Sequence, residues 1–361
     1  MKPPKIASVG PVRWMQENLF SSPLNTILTI LAVLIVYGVL APLIDWALVR
    51  GVFEGSDATP CRTETAGACW PAITERLGTI FYGKYPLEER WRPDLVGLLG
   101  VGGLAWLMVP HVPAKGLAML LMLTVYPVLA ALLLLGGVAG LAPVSTQDWG
   151  GLLLTLVIAA TSITLSFPLG VLLALGRRSD LPAVRWVSTA FIEFWRGVPL
   201  ITVLFLAGVL LPLFVPGGQS VDHLVRALAG FVIFSSAYVA EAVRGGLQAV
   251  PPGQVEAAKA IGLGYWGATS LIVLPQALRL SIPSLVNTFC GIIKDTSLVA
   301  IIAFVDLLGQ VQKIGQDAEW ASPNTSATGY LFAGAIFWAL CFGLSRYARH
   351  WERKLGSAQG R

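Results

Sequence analysis

Apolar runs long enough to cross a bilayer recur along the chain without a charged residue, at 18–44, 116–147, 149–176, 197–221 and 320–345. A spanning helix needs about 20 such residues, because the hydrocarbon core is roughly 30 Å thick and each helical residue rises about 1.5 Å. Two further stretches, 224–247 and 281–304, carry charge inside or at their ends, and a shorter one, 95–110, closes at Pro110. The pattern predicts an all-α polytopic membrane protein of eight helices. Composition agrees, since 12% of residues are charged where a soluble domain carries about 25%. An ordinary soluble enzyme, a secreted disulfide scaffold and a disordered chain are excluded.

Lys and Arg set the orientation. With the N-terminus inside and eight crossings, fifteen basic residues fall on the cytoplasmic side and eight outside, with Arg196 and Lys294 at membrane depth. Six of the eight outer ones belong to the loop 50–94, where acids match them. Both termini are therefore expected inside, and the net charge of +5 reads as a topology signal rather than a nucleic-acid surface. The first apolar run exceeds the roughly 7–15 residues of a signal-peptide core and is expected to stay as an anchor.

The loop 50–94 is too long for a tight connection and is expected to pack as a small cap. It holds Cys61 and Cys69, while Cys290 and Cys341 fall in apolar spans. Outside the membrane two thiols eight positions apart can oxidise to a bridge; two free cysteines are the alternative. Composition shifts near Pro143–Gly150. This seam divides the chain into an N-terminal extension, 1–147, with three helices, and a five-helix core, 148–347, followed by a cytoplasmic tail, 348–361.

Several chemistries have no residues to perform them. The one Gly-Lys pair, Gly83-Lys84, is followed by Tyr85 rather than a hydroxyl-bearing Ser or Thr in a P-loop, so ATP is not expected to be hydrolysed by that route. The three histidines lie far apart, and neither H-E-x-x-H, C-x-x-C nor G-x-S-x-G occurs. No catalytic residue, bound cofactor or metal is expected.

Between the sixth and seventh spans, at 248–280, the sequence changes character. Pro251 and Pro252 suit a helix start, Glu256 suits the positive end of its first turn, and Ala257, Ala258 and Ala260 make a thin-sided helix. Gly262 and Gly264 are expected to end it, with a second short helix reaching Pro275. A compact helix–turn–helix thus projects into the cytoplasm, as an interaction knob or as a packed connecting loop.

Glu256-Ala257-Ala258, Gly262 and Ile272-x-Leu274-Pro275, at their spacings, match the EAA motif of bacterial ABC importer permeases. Flanking stretches resemble the polar amino-acid subfamily: Glu193-Phe-Trp-Arg196-Gly-Val-Pro199, Ala240-Glu241-Ala-Val-Arg244-Gly-Gly246, Pro275-Gln-Ala-Leu-Arg279 and Lys294-Asp295-Thr-Ser-Leu298. The resemblance covers roughly 148–347, and the added N-terminal helices look like the permeases of general L-amino-acid and glutamate/glutamine/aspartate/asparagine transporters. It implies a type I importer transmembrane domain in the bacterial inner membrane, paired with a second, related permease chain. It also implies two ATPase subunits carrying ATP and magnesium, a periplasmic amino-acid-binding protein, and docking of the EAA helix in a groove on the ATPase. An ion-coupled secondary carrier is the alternative; it would show an inverted repeat between halves, and none is visible.

Ionisable groups inside a membrane each cost about 2.5–3.5 kcal/mol on insertion scales, so each needs a partner or a wet cavity. Glu193 and Arg196, three apart, are expected to pair with each other, and Glu241 and Arg244 to do likewise. A zwitterionic amino acid wants a cation at one end and an acid or carbonyls at the other. Arg196, Glu193, Asn287, Lys294 and Asp295 are candidates for its path, with Ser235 and Ser236 along the wall. Internal ion pairs that hold helix register are the competing reading, for Lys294 with Asp295 and for Glu241 with Arg244.

Overall fold

The computed structural model describes residues 10–109, 111–210 and 221–359. Pro110, the closing residue of the expected 95–110 span, and the second half of the 197–221 run lie outside the described residues. The described chain is helical, with no strand beyond isolated bridges, and divides into two compact units, 1–74 with 315–328, and 75–314 with 329–361. That division does not coincide with the compositional seam at 147/148.

In the first unit an amphipathic turn of helix, α1 (Pro11–Asn18), precedes α2 (Pro23–Ile44), which starts where Ser22 Oγ accepts from Asn25 N at 3.2 Å. The chain then folds back as an irregular segment closed by a disulfide between Cys61 and Cys69, whose Cα atoms are 5.6 Å apart. This segment holds the stretch that leads into the last helix. Trp46 Nε1 donates to Asn324 Oδ1 at 3.0 Å, Asn324 Nδ2 to Ala66 O at 2.8 Å, and Cys69 N to Thr328 Oγ1 at 2.8 Å. Arg62 reaches the carbonyls of Ala318 and Ala321, both at 3.1 Å. The capping role expected of 50–94 thus falls to residues 50–74, with 315–328 as what they cover.

The second unit starts with a hairpin, α3 (Trp91–Met108) and α4 (Lys115–Leu135). Glycines let the two approach: a Cβ at Gly100 or Gly103 would run into Tyr126 or Met122. The core follows as α5 (Gly151–Arg177), α6 (Pro182–Gly197), α7 (Leu200–Leu210) and α8 (His223–Ala249), in that order. Asp222 caps α8, its Oδ1 accepting from Leu224 N at 2.8 Å. After the loop helix α9 (Pro252–Ala260) comes one continuous helical run, Tyr265–Ile302, whose regular part is α10 (Leu274–Asp295). Then come α11 (Leu307–Gln316) and α12 (Thr325–Gln359); the latter runs unbroken through the expected tail boundary at 347/348.

α8 is the centre of this unit and its most buried long helix. Its residues Val239, Ala240, Val243 and Leu247 form one core cluster with Ala174 of α5, Ile192 of α6 and Ala277 and Leu285 of α10. Phe231 joins a second cluster with Leu154, Ile158, Leu204, Val299 and the buried Tyr85.

Six described helices are long and apolar enough to span a bilayer, with the α6–α7 pair, bent by 104°, as one more if it counts as a single span. α3 falls short of a plain span because its first turn carries Arg92 and Asp94. Arg92 is nonetheless 1% exposed, paired with Glu89 at 2.7 Å and donating to Ala142 O at 2.7 Å.

Candidate coupling loop and membrane-depth charges

The loop leaving α8 begins with Pro251 as N-cap and Pro252 as the first residue of α9, where a missing N–H costs nothing. Leu263 N donates to Ala258 O at 3.1 Å and Gly262 N to Lys259 O at 3.0 Å, the paired closure of a helix end that requires a left-handed residue between. Gly262 supplies it at φ +83°. A Cβ there would meet nothing within 4 Å, so the dihedral angle, not space, asks for glycine.

The second helix starts at Tyr265 and does not stop at Pro275, as the sequence suggested; it continues through α10 into the membrane. A π-turn at Ala268–Val273 widens the backbone just before Pro275, where the ring has no N–H to give. Gln276 Nε2 stitches the two helices together, donating to Gln254 Oε1 at 3.1 Å and to Ile272 O at 2.9 Å.

Of the motif residues, Ala258 is buried, Ile272, Leu274 and Pro275 are half-buried, and Glu256, Ala257 and Gly262 are exposed. Beside them stand Ile261 at 75%, Trp266 at 74% and Leu271 at 67% exposure. Ile261 belongs to the turn, whereas Trp266 and Leu271 belong to the start of the run Tyr265–Ile302.

Of the two couples expected along one helix, one forms and the other gives way to pairing between helices. Glu193 does not bind Arg196; its Oε1 accepts from Arg177 Nη2, at the end of α5, at 2.8 Å. Arg177 Nη1 is also 2.8 Å from Glu241 Oε1. Glu241 and Arg244 do form the expected couple, with contacts of 2.8–3.0 Å to both carboxylate oxygens. Arg196 stands 3.6 Å from Glu241 Oε2, beyond hydrogen-bond reach, with its guanidinium 5.7 Å from the centre of the Tyr238 ring. Three guanidiniums and two carboxylates from α5, α6 and α8 thus meet in one cluster. Arg177 is the member that sequence reading missed; the signal was its position at the end of the first core span.

The other candidates lie apart from this cluster. Asn287 and Lys294 line a groove of about 480 Å³ between α10 and α12, with Trp338, Phe342 and Ser345 opposite. Cys290 and Cys341 sit at its floor, each sulfur 3.8 Å from the other's backbone carbonyl oxygen. Lys294 is exposed and Asp295 half-buried; no ion pair joins them among the described residues. Ser235 and Ser236 are 2% and 1% exposed, and Ser236 Oγ donates to Ile233 O at 2.7 Å; both are packed inside rather than lining an open path. Among the described residues no group of three His, Cys, Asp or Glu side chains could hold a metal ion.

At least six helices of spanning length define the class, a polytopic membrane protein. Residues 166–357 match the family described as the binding-protein-dependent transport system inner membrane component, and the chain belongs to that family as a multi-pass inner-membrane permease of an ABC importer. It is 47% identical over 363 residues to the inner membrane amino-acid ABC transporter permease protein YhdY of Escherichia coli (strain K12), covering 99% of this chain and 97% of that one. It is 37% identical to the glutamate/glutamine/aspartate/asparagine transport system permease protein BztC of Rhodobacter capsulatus, covering 98% and 96%. Among solved structures, an amino acid ABC transporter with histidines matches 56% of this chain and 92% of its own, at 31% identity and a TM-score of 0.50. Nothing in these likenesses supports an ion-coupled carrier acting alone.

Proposed function

We propose that this chain is the permease subunit through which polar L-amino acids pass from periplasm to cytoplasm, driven at the 248–280 loop by a separate ATPase. The observation that carries the reading is the loop itself: an ordered helix–turn–helix with Glu256 and an apolar patch of Ile261, Trp266 and Leu271 facing outward. Relatives named for amino-acid transport support the substrate class. Glu256, Ala257, Ala258, Gly262, Ile272, Leu274 and Pro275 form the docking element. Glu256 makes charge-assisted contacts in the ATPase groove, each worth about 1.5–3 kcal/mol.

In this reading the working assembly holds a second, related permease chain, two ATPase subunits with ATP and magnesium, and a periplasmic amino-acid-binding protein. This chain binds no cofactor and catalyses no reaction itself. Its core at 148–347 carries transport and 1–147 is an added outer layer. Asn287 and Lys294 in the α10–α12 groove are this chain's share of the amino-acid path.

The test is copurification and uptake with Glu256→Lys in the assembled transporter. The expected result is normal insertion of the chain with the ATPase lost and uptake abolished. Full ATPase recovery together with full uptake overturns the docking role.

A further inference from the structure

We propose that Glu241 is a positioning residue: it ties the bent span α6–α7 to the helix that enters the coupling loop, and so passes the loop's motion to that span. The inference rests on the loop being the drive point.

The elements around Glu241 are attached to one another in two different ways. Only Val250 and Pro251 separate α8 from the loop helix α9. Near its inner end α8 meets α10, the helix that leaves the loop, at Gly246, where a Cβ would collide with Ala277 O and Ser281 Oγ. Entry and exit helices are thus in backbone contact and move as a pair. α8 also meets α5 closely, at Gly170, where a Cβ would press on Val239. Close packing of this kind is bistable at best, because separation by even a fraction of an ångström opens a void.

α6 packs on α5 where a Cβ at Gly176 would strike Ser188, and on the α5–α8 core through Ile192, but its end at the bend is held otherwise. Only Ser188 and Ile192 are buried along its sixteen residues. Its end next to the 104° bend is attached by charge, through Glu193 to Arg177 and through Arg196 toward Glu241.

Charge attachment tolerates displacement, provided a spare partner is at hand, and this cluster has one. Both oxygens of Glu241 are engaged by Arg177 and Arg244 at 3.0 Å or less. Arg196 waits at 3.6 Å against the Tyr238 ring. When α8 shifts, Arg196 can take the place of Arg177 or Arg244 on the carboxylate, so that Glu241 is never left unpaired. A single Glu–Arg pair would have to break first, at the cost of an uncompensated charge. Arg196 immediately precedes Gly197, so its exchange acts where the span is already broken, with Pro199 two residues beyond unable to restore the helical hydrogen bond.

The experiment uses the transporter assembled with its companion subunits in proteoliposomes, and reads amino acid taken up per ATP hydrolysed. Glu241→Gln keeps the side-chain volume and removes the charge. The expected result is ATPase retained in the complex, ATP hydrolysis largely preserved, and uptake per ATP lowered by about tenfold or more. Glu241→Asp, which keeps the charge on a shorter arm, recovers part of the loss. Arg196→Gln leaves the Arg177–Glu241–Arg244 contacts in place and tests the exchange where the first variant fails to assemble; it too lowers uptake per ATP. Hydrolysis and uptake falling in equal proportion in Glu241→Gln, or an unchanged ratio in Arg196→Gln, overturns the proposal. Retention of the ATPase in both variants separates this outcome from failure of the docking reading, which the Glu256→Lys copurification reads.

Discussion

Gly262 gives the most direct test of how the loop acquires its shape. It stands at φ +83° with open space where a Cβ would project, so substitution costs backbone energy and nothing else. Placing an L-residue in the left-handed region costs roughly 1–2 kcal/mol, less for Asn and more for a β-branched side chain. That range lowers the fraction of chains holding the docking-competent bend by about 5- to 30-fold. With the chain in nanodiscs and the purified companion ATPase added, Gly262→Ala is expected to weaken binding by that factor, and Gly262→Val further. Gly262→Asn stays within about threefold of wild type, since Asn adopts the left-handed cap with little strain. Expression and insertion are unchanged in all three, because the residue packs against nothing. Ala binding as well as Gly, or Asn losing as much as Val, would refute a bend set by the dihedral angle.

Three further outcomes follow from the same structure. Replacing Cys61 and Cys69 together with Ser opens a bridge between residues eight apart; on chain entropy this costs about 2.5 kcal/mol, seen as earlier proteolysis of 50–74 on heating with no change in ATPase binding. Val112→Cys in the α3–α4 turn tests the eight-span expectation: it is expected to react with an impermeant maleimide only after the inner face is exposed, and labelling from outside refutes a crossing by α3. Asp306 is buried, and burial raises its carboxyl above the usual range although Gly309 N donates to its Oδ1 at 2.9 Å. A raised folded pKa means that ionisation costs stability as pH climbs past about 4, the unfolded value. Asp306→Asn, which keeps the helix cap, therefore gains thermal stability over wild type as pH rises and loses that gain in acid.

Much of the fold is legible in sequence because lipid leaves the backbone few choices. The runs 149–176 and 224–247 became α5 and α8 within a few residues at either end, since a span's length is fixed by the bilayer and its ends by the first charges. The loop's first helix was legible for another reason: two prolines and a glycine each restrict φ locally, independent of what packs around them. The passage through Pro275 was not legible. Whether a proline ends a helix or is absorbed by a π-turn depends on neighbours such as Gln254 and Gln276, which hold the turn from outside it. Nor could spacing show that 315–328 closes over 50–74, because those contacts join segments about 250 residues apart.

The charged cluster marks the boundary between what spacing tells and what only packing tells. Residues three apart on a helix are neighbours, so Glu193 with Arg196 and Glu241 with Arg244 look like equivalent couples. One forms and the other does not, because a pair on the rim of a helix competes with whatever the next helix presents. α5 ends at Arg177, and the return of the chain through α6 brings Glu193 beside it before Arg196 can fold back. A local rule treats each couple as closed, yet the five groups meet in one cluster and compete for the same two carboxylates. Within that cluster Arg177, Glu193, Arg196, Glu241 and Arg244 leave an excess of one cation that no pairing among them can remove. The surplus falls on Arg196, the residue at the edge of the bend. There an unsaturated partner is of most use to a span that must move, and least costly to one that must stay folded.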